Sequence, residues 1–149
     1  MDTLTHNGYS FRKLASDDFS SLYYCDELLM AICTAEVEYI PIDAFKKIFF
    51  RISDMINACP IKHLIFDKRA LRTFHQPSME WYFTSWKPAI RTRGLTSHFK
   101  ILPDLDWFRE SVNAGRKEIF SKSDEQLLNG ITITYVDSPE EAIKAIIAT

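Results

Sequence analysis

At 149 residues, 46% hydrophobic and 26% charged, the chain suits one globular domain with a substantial core. A net charge of -2, with acids and bases mixed along the sequence, leaves no electrostatic footprint for nucleic acid. No apolar run approaches the roughly 20 residues of a membrane span.

Residues 1–8 read as a flexible N-terminus, with neither the basic nor the apolar region of a signal peptide. Tyr9 to Leu14 reads as an edge strand, and Ala15 to Asp18 as a turn. "SLYYCDELLMAICTA" predicts a β-hairpin: Leu22 to Cys25, an Asp26-Glu27 turn, then Leu28 to Ala35. The next segment places Phe45, Ile48, Phe49, Ile52, Met55, Ile56 and Cys59 on one helical stripe. Pro41 and Asp43 suit its first turn, and Pro60 ends it. "IKHLIFD" is nearly all apolar, as a central strand covered on both faces would be. The segment from Ser78 to Gly94 predicts a helix capped by Ser78, kinked by Pro88 and ended by Gly94. Lys87, Arg91 and Arg93 read as its solvated basic end. "SHFKIL" is the next strand. A third helix follows, with Trp107, Phe108, Val112 and Ile119 or Phe120 at helical spacing and weakened by Gly115. "ITITYV" is the last strand. Ser138, Pro139 and Glu141 open a final helix with a capping box. A hairpin followed by α-β repeats gives an α/β fold with a mixed β-sheet in a single domain, 1–149.

The chemistry-bearing residues gather after "LIFD". Function in open α/β sheets usually sits just beyond the carboxyl end of a strand. Asp67 reads as a strand-end acid tying down a turn, paired with Lys68 or Arg72. Thr73, His75 and Ser78 follow in the loop. A Ser78–His75–Asp67 constellation lacks the G-x-S-x-G elbow and has to converge around Pro77, so no catalytic residue is assigned. Ser78 is an N-cap or, more weakly, a phosphoacceptor. His63 reads as a core histidine. The four His and three Cys show no metal-ligand spacing, and no glycine-rich nucleotide motif or other cofactor signal occurs. Cys25, Cys33 and Cys59 form no CxxC pair and read as reduced thiols of a cytoplasmic protein, which also lacks an N-x-S/T sequon. Trp81, Tyr82, Phe83 and Trp86 are too many aromatics for one buried stripe. Tyr82 and Trp86, four apart, share a face, and the group suggests a pocket or an interface.

Several of these stretches resemble the SpoIIAA-like family of small bacterial proteins, related in fold to STAS domains. They are "LYYCDELLMAIC", "IDAFKKIF", "HLIFD", "SWKPAIRTRG" and "VDSPEEAIKAI", between about Leu22 and Ile147. The resemblance implies a non-enzymatic module acting by protein–protein interaction, with regulation by phosphorylation. "RTFHQPSMEWY" departs from the Asp-Ser-Ser-Gly pattern of such switches. On this basis the chain is expected to bind a protein partner. A homodimer through the aromatic helix 78–93 is one form of that binding, with Asp67, Thr73, His75, Ser78, Trp81, Tyr82 and Trp86 as binding residues. The alternative expectation is a carrier of an apolar small molecule or lipid in an aromatic-lined cavity, as in the related CRAL-TRIO fold.

Overall fold

A computed structural model of the chain describes residues 3–122 and 132–148. Seven strands form one mixed sheet in sequential order: β1 (Thr3–His6), β2 (Tyr9–Ser16), β3 (Ser20–Cys25), β4 (Met30–Ala35), β5 (His63–Asp67), β6 (Ser97–Ile101) and β7 (Thr132–Tyr135). The first four make an antiparallel meander, and β4 to β7 run parallel. The fold is therefore the expected α/β class.

The N-terminal half differs in detail from the sequence expectation. Thr3–His6 is a strand rather than a flexible tail, joined to β2 through Asn7 and Gly8, both at positive φ. That pairing makes β2 an interior strand instead of an edge. Asp17 stops β2 by accepting the Phe19 and Ser20 backbone N–H groups on one carboxylate oxygen, both at 2.7 Å. The hairpin turn is longer than Asp26-Glu27. It takes in Leu28 and Leu29, with Leu29 at φ 51°, before Cys25 pairs with Met30.

Helix α1 (Ile42–Ala58) links β4 to β5 and buries Phe45, Ile48, Phe49, Ile52 and Ile56, close to the expected stripe. Pro41 stands just before its first turn, at the cap position. The segment between β5 and β6 is one continuous but irregular helix. It runs through α2 (Gln76–Trp81), a π-helical turn (Tyr82–Trp86), α3 (Lys87–Ile90) and a 3₁₀ turn (Arg91–Arg93). Helix α4 (Asp106–Lys122) links β6 to β7, and α5 (Pro139–Ile147) closes the chain. Gly94, at φ 104°, ends the irregular helix in the left-handed conformation. Pro88 produces a wide turn instead of a simple kink. It has no N–H to donate, and the Lys87 N–H just before it reaches back five residues to the Tyr82 carbonyl.

Sequential strand order with same-handed crossovers puts all three crossover segments on one face of the sheet. That face holds the larger core, built from Leu22, Tyr24, Leu64, Phe66 and the apolar sides of α1, α2, α3 and α4. The opposite face packs Phe11, Tyr23, Ile32, Ile65, Phe99 and Ile101 against Ala142 and Ile143 of α5. Helix α5 starts as expected: Ser138 accepts from the Glu141 N–H, and Glu141 accepts from the Asp137 N–H. Trp107 departs from its predicted inward place and is 48% exposed, while Phe108, Val112 and Ile119 are buried. Gly115 is buried where α4 meets α2. A side chain there would stand 3.1 Å from Phe74 and 3.2 Å from Gln76. Its absence therefore permits close packing, which offsets its weak helix propensity.

Candidate functional site

Strand alternation builds the site. Period two sends Leu64, Phe66 and then Lys68 toward the three-helix face, while Ile65 and Asp67 face α5. On β6 the same rule sends His98 and Lys100 toward the helices, opposite Phe99 and Ile101. Lys100 is only 3% exposed. These groups meet just beyond the carboxyl ends of β5 and β6, under α1, α2 and α4.

A cavity of about 50 Å³ lies there. Its apolar wall comes from Ile40, Phe45 and Phe49 of α1 and its lead-in, Leu71 and Phe74 of the β5–α2 loop, Met79, and Phe108 and Val112 of α4. Its polar groups are Lys68, Thr73, His75, Ser78, Tyr82, His98 and Lys100, with no Asp or Glu among the described lining residues. The loop is pinned by backbone bonds: Lys68 N–H to the Ile101 carbonyl at 2.8 Å, and Arg72 N–H to the Glu38 carbonyl at 2.8 Å.

Among the described residues neither Lys68 nor Lys100 is ion-paired with an acid. The Lys100 Nζ sits 4.1 Å from the centre of the Tyr82 ring and 4.8 Å from that of Phe83, so ring faces replace part of its lost hydration. Burial pushes its pKa well below the ordinary lysine value, and Lys68, Arg116 and Lys87 push the same way. Burial also pushes the Lys68 amine down, to about 8. The amine of Lys68 lies 5.3 Å from the Phe66 ring centre. The Tyr82 hydroxyl is hydrogen-bonded to His98 Nδ1. Burial holds His98 neutral, with nearby Lys100 adding to the effect, and burial keeps Tyr82 a neutral phenol. His98 Nε2 is buried and has no hydrogen-bond partner among the described residues.

The residues singled out in the sequence divide between this cavity and other duties. Thr73, His75, Ser78 and Tyr82 line it. Ser78 does not cap the helix, because His75 stands at the cap position and α2 begins at Gln76. Ser78 lies inside the first turn, 5% exposed, and its Oγ shares a 2.9 Å hydrogen bond with His75 Nδ1. Asp67 ties down its turn as expected, but through Arg69 rather than Lys68 or Arg72. It accepts from the Arg69 backbone N–H at 3.0 Å and from the guanidinium Nη2 at 2.6 Å. Asp67 therefore faces α5 and does not join Ser78 and His75. Trp86 is a core anchor: its Nε1 donates to the Phe49 carbonyl at 3.0 Å and to Ser53 Oγ at 2.8 Å. Trp81 is half-buried against Phe45 and Phe49. Tyr82, Phe83 and Trp86 fall within an arc of about 100° on the inward side of this helix, so all three are buried and unavailable as interface anchors. Lys87, expected at a solvated end, is 2% exposed, while Arg91 and Arg93 are exposed.

His63, at the start of β5, bonds Ser97 Oγ through Nδ1 at 2.6 Å. Cys25 and Cys33 are buried, and burial pushes the Cys33 thiol up to about 12, which makes it inert. Among the described residues no cluster of three or more His, Cys, Asp or Glu could hold a metal ion, and no helix is long and apolar enough to cross a membrane. Lys68, His98 and Lys100 escaped the sequence reading. Their signal was present in the alternation of "LIFDK", in a strand expected to be covered on both faces, and of "SHFKI" in the strand after it.

No protein-family model and no curated protein matches the chain. Among solved structures it is similar to the nuclease MPE of Pseudomonas putida, with a TM-score of 0.46 and 13% identity. The match covers 89% of this chain and 58% of that one, so the chain spans less than two thirds of the nuclease's length. Similarity at this level carries no functional argument.

Proposed function

We propose that the protein binds a small organic acid in this cavity, with the carboxylate on the Lys68 side and a short apolar body against the aromatic wall. One observation carries the reading: two lysines line a largely apolar cavity, with no Asp or Glu among its described lining residues. A buried cation without a partner is costly, and an incoming anion removes that cost. Size supports a small ligand. A water needs roughly 10–15 Å³ by the same measure, so the cavity holds only about four such volumes. An apolar carrier of the CRAL-TRIO kind would need the roughly 300 Å³ or more of an ordinary ligand pocket. The wall of Phe, Leu, Met and Val side chains also suits a monocarboxylate better than a phosphate, which asks for many N–H donors. The test is calorimetric titration with short carboxylic acids, inorganic phosphate and neutral amides of the same shape. Binding of the acids alone, lost on Lys68→Met, supports the reading. Equal binding of acid and amide, or binding unchanged in Lys68→Met, refutes it.

A STAS-like interaction module is the second reading we put forward. What supports it is Phe50, 54% exposed on α1, with its ring 5.5 Å from that of half-buried Trp81 and Lys46 beside the indole. With Tyr82 and Trp86 buried, a homodimer would use Phe50 and Trp81 instead. A phosphoswitch at Ser78 would first need the His75–Ser78 contact to open. Sedimentation tests the dimer: a species that Phe50→Glu dissociates supports it, and a monomer at every concentration counts against it.

A further inference from the structure

We propose that Lys100 captures the carbonyl carbon of a small 2-oxo acid as a reversible imine, while Lys68 holds the adjacent carboxylate. This rests on the anion-binding reading and deepens it, turning a binding cavity into a covalent one.

The two lysines are placed differently. Lys100 lies within the strand, nearly inaccessible to bulk water, with its amine confined between the Tyr82 and Phe83 rings. Lys68 stands one residue past the end of β5, on the loop side, and is partly exposed. Two titratable groups in unlike environments divide their roles. Lys68, pushed only to about 8, keeps its charge near neutral pH and pairs with a carboxylate. Lys100 is more deeply desolvated and has Lys68, Arg116 and Lys87 as cationic neighbours, and both effects favour the neutral, nucleophilic form of its amine. A 2-oxo acid is the matching substrate class. Its carbonyl carbon is bonded directly to its carboxylate carbon, so one small molecule serves both amines within about 50 Å³.

The step balances without an oxidant or reductant. The Lys100 nitrogen lone pair forms the N–C bond, and the carbonyl π pair moves onto oxygen. A proton passes from nitrogen to that oxygen, giving a carbinolamine. A second transfer lets the C–O bond break, releasing water and leaving the C=N bond. His98 lines the same cavity, and its Nε2 has no partner among the described residues. When the other ring nitrogen carries the proton toward Tyr82, Nε2 can accept a hydrogen bond from the carbinolamine while His98 itself stays neutral and the proton passes from nitrogen to oxygen within the adduct.

The experiment uses the full chain with pyruvate as probe and cyanoborohydride to reduce any imine at pH 7, followed by intact mass and peptide mapping. Binding of propionate, which has no keto group, is measured separately. The expected result is one reduced adduct per chain, mapped to Lys100. It should be absent in Lys100→Met and about tenfold or more slower to form in Lys68→Met, which loses the charge-assisted carboxylate contact. Mapping on the unaltered chain decides the matter even where Lys100→Met fails to fold. Propionate binding without an adduct, or adducts only on Lys68 or on surface lysines, overturns the imine and leaves the anion site standing. Failure of both propionate binding and adduct formation overturns both proposals.

Discussion

Replacing Lys68 by methionine should stabilise the ligand-free protein at neutral pH, contrary to the usual effect of altering a partly buried residue. The amine is pushed from its ordinary 10.5 down to about 8 because burial strips water from its charged form. A tenfold change in proton affinity is about 1.4 kcal/mol, so the charged amine costs the folded state about 3 kcal/mol below pH 8. Allowing for water that reaches a residue on a loop reduces this to about 2 kcal/mol. Methionine keeps an unbranched apolar stem over Phe66 and removes the charge. The folded pKa lies below the unfolded one. Between about 8 and 10.5 the unfolded chain therefore holds a proton that the folded chain does not, and wild-type stability rises with pH across that window. The advantage of Lys68→Met is full below pH 8 and gone above 10.5. Urea unfolding at pH 7 and at pH 10.5 measures it. The expected gain at pH 7 is about 2 kcal/mol, or about 4–8 °C in Tm for a domain of this size. Destabilisation of more than about 1 kcal/mol at pH 7 would show that Lys68 already has an anionic partner, and a gain that persists at pH 10.5 would show that the effect is one of packing rather than charge; either result refutes the reasoning.

Trp86→Phe removes the donor to the Phe49 carbonyl and Ser53 Oγ and leaves a gap behind α1. A loss of about 2–3 kcal/mol in chemical denaturation is expected, and a change under 0.5 would contradict the anchor role. Gly115→Val places side-chain atoms against Phe74, Gln76 and Met79, and should lower stability by about 1–3 kcal/mol despite the better helix propensity. A stabilised variant in a thermal melt would mean that the α2–α4 contact is loose. Ser138→Ala removes the acceptor for the Glu141 N–H and should cost about 1 kcal/mol, largely restored by Ser138→Asn.

The legible parts of the sequence were those with a strong period or an unambiguous cap. The α1 stripe, the all-apolar β5 and the Ser138-Pro139 start appear in the structure within a residue or two. Signals from pairing partners were lost. "TLTH" alternates Thr with Leu and runs into Asn7-Gly8, a two-residue hairpin signal; so short a strand is settled only by its pairing with β2. The aromatic helix was misjudged for a different reason. A 3.6-residue period sets Tyr82, Phe83 and Trp86 within an arc of about 100°, one ordinary buried stripe, and leaves Trp81 outside it, half-buried.

The same division separates fold from site. Local patterning by itself determined an α/β chain with a mixed sheet, because hydrophobic period and turn chemistry act between near neighbours. It also pointed to the loop after β5, where Thr73, His75 and Ser78 indeed face a cavity. Only the tertiary structure decided that Asp67 turns away to Arg69, and that Lys68 and Lys100, 32 positions apart, share one cavity with no acid among its described lining residues. Two strands must be set side by side and roofed by three helices before a lysine amine can be surrounded by rings. Burial of charge is a property of that assembly, and no stretch of sequence contains it.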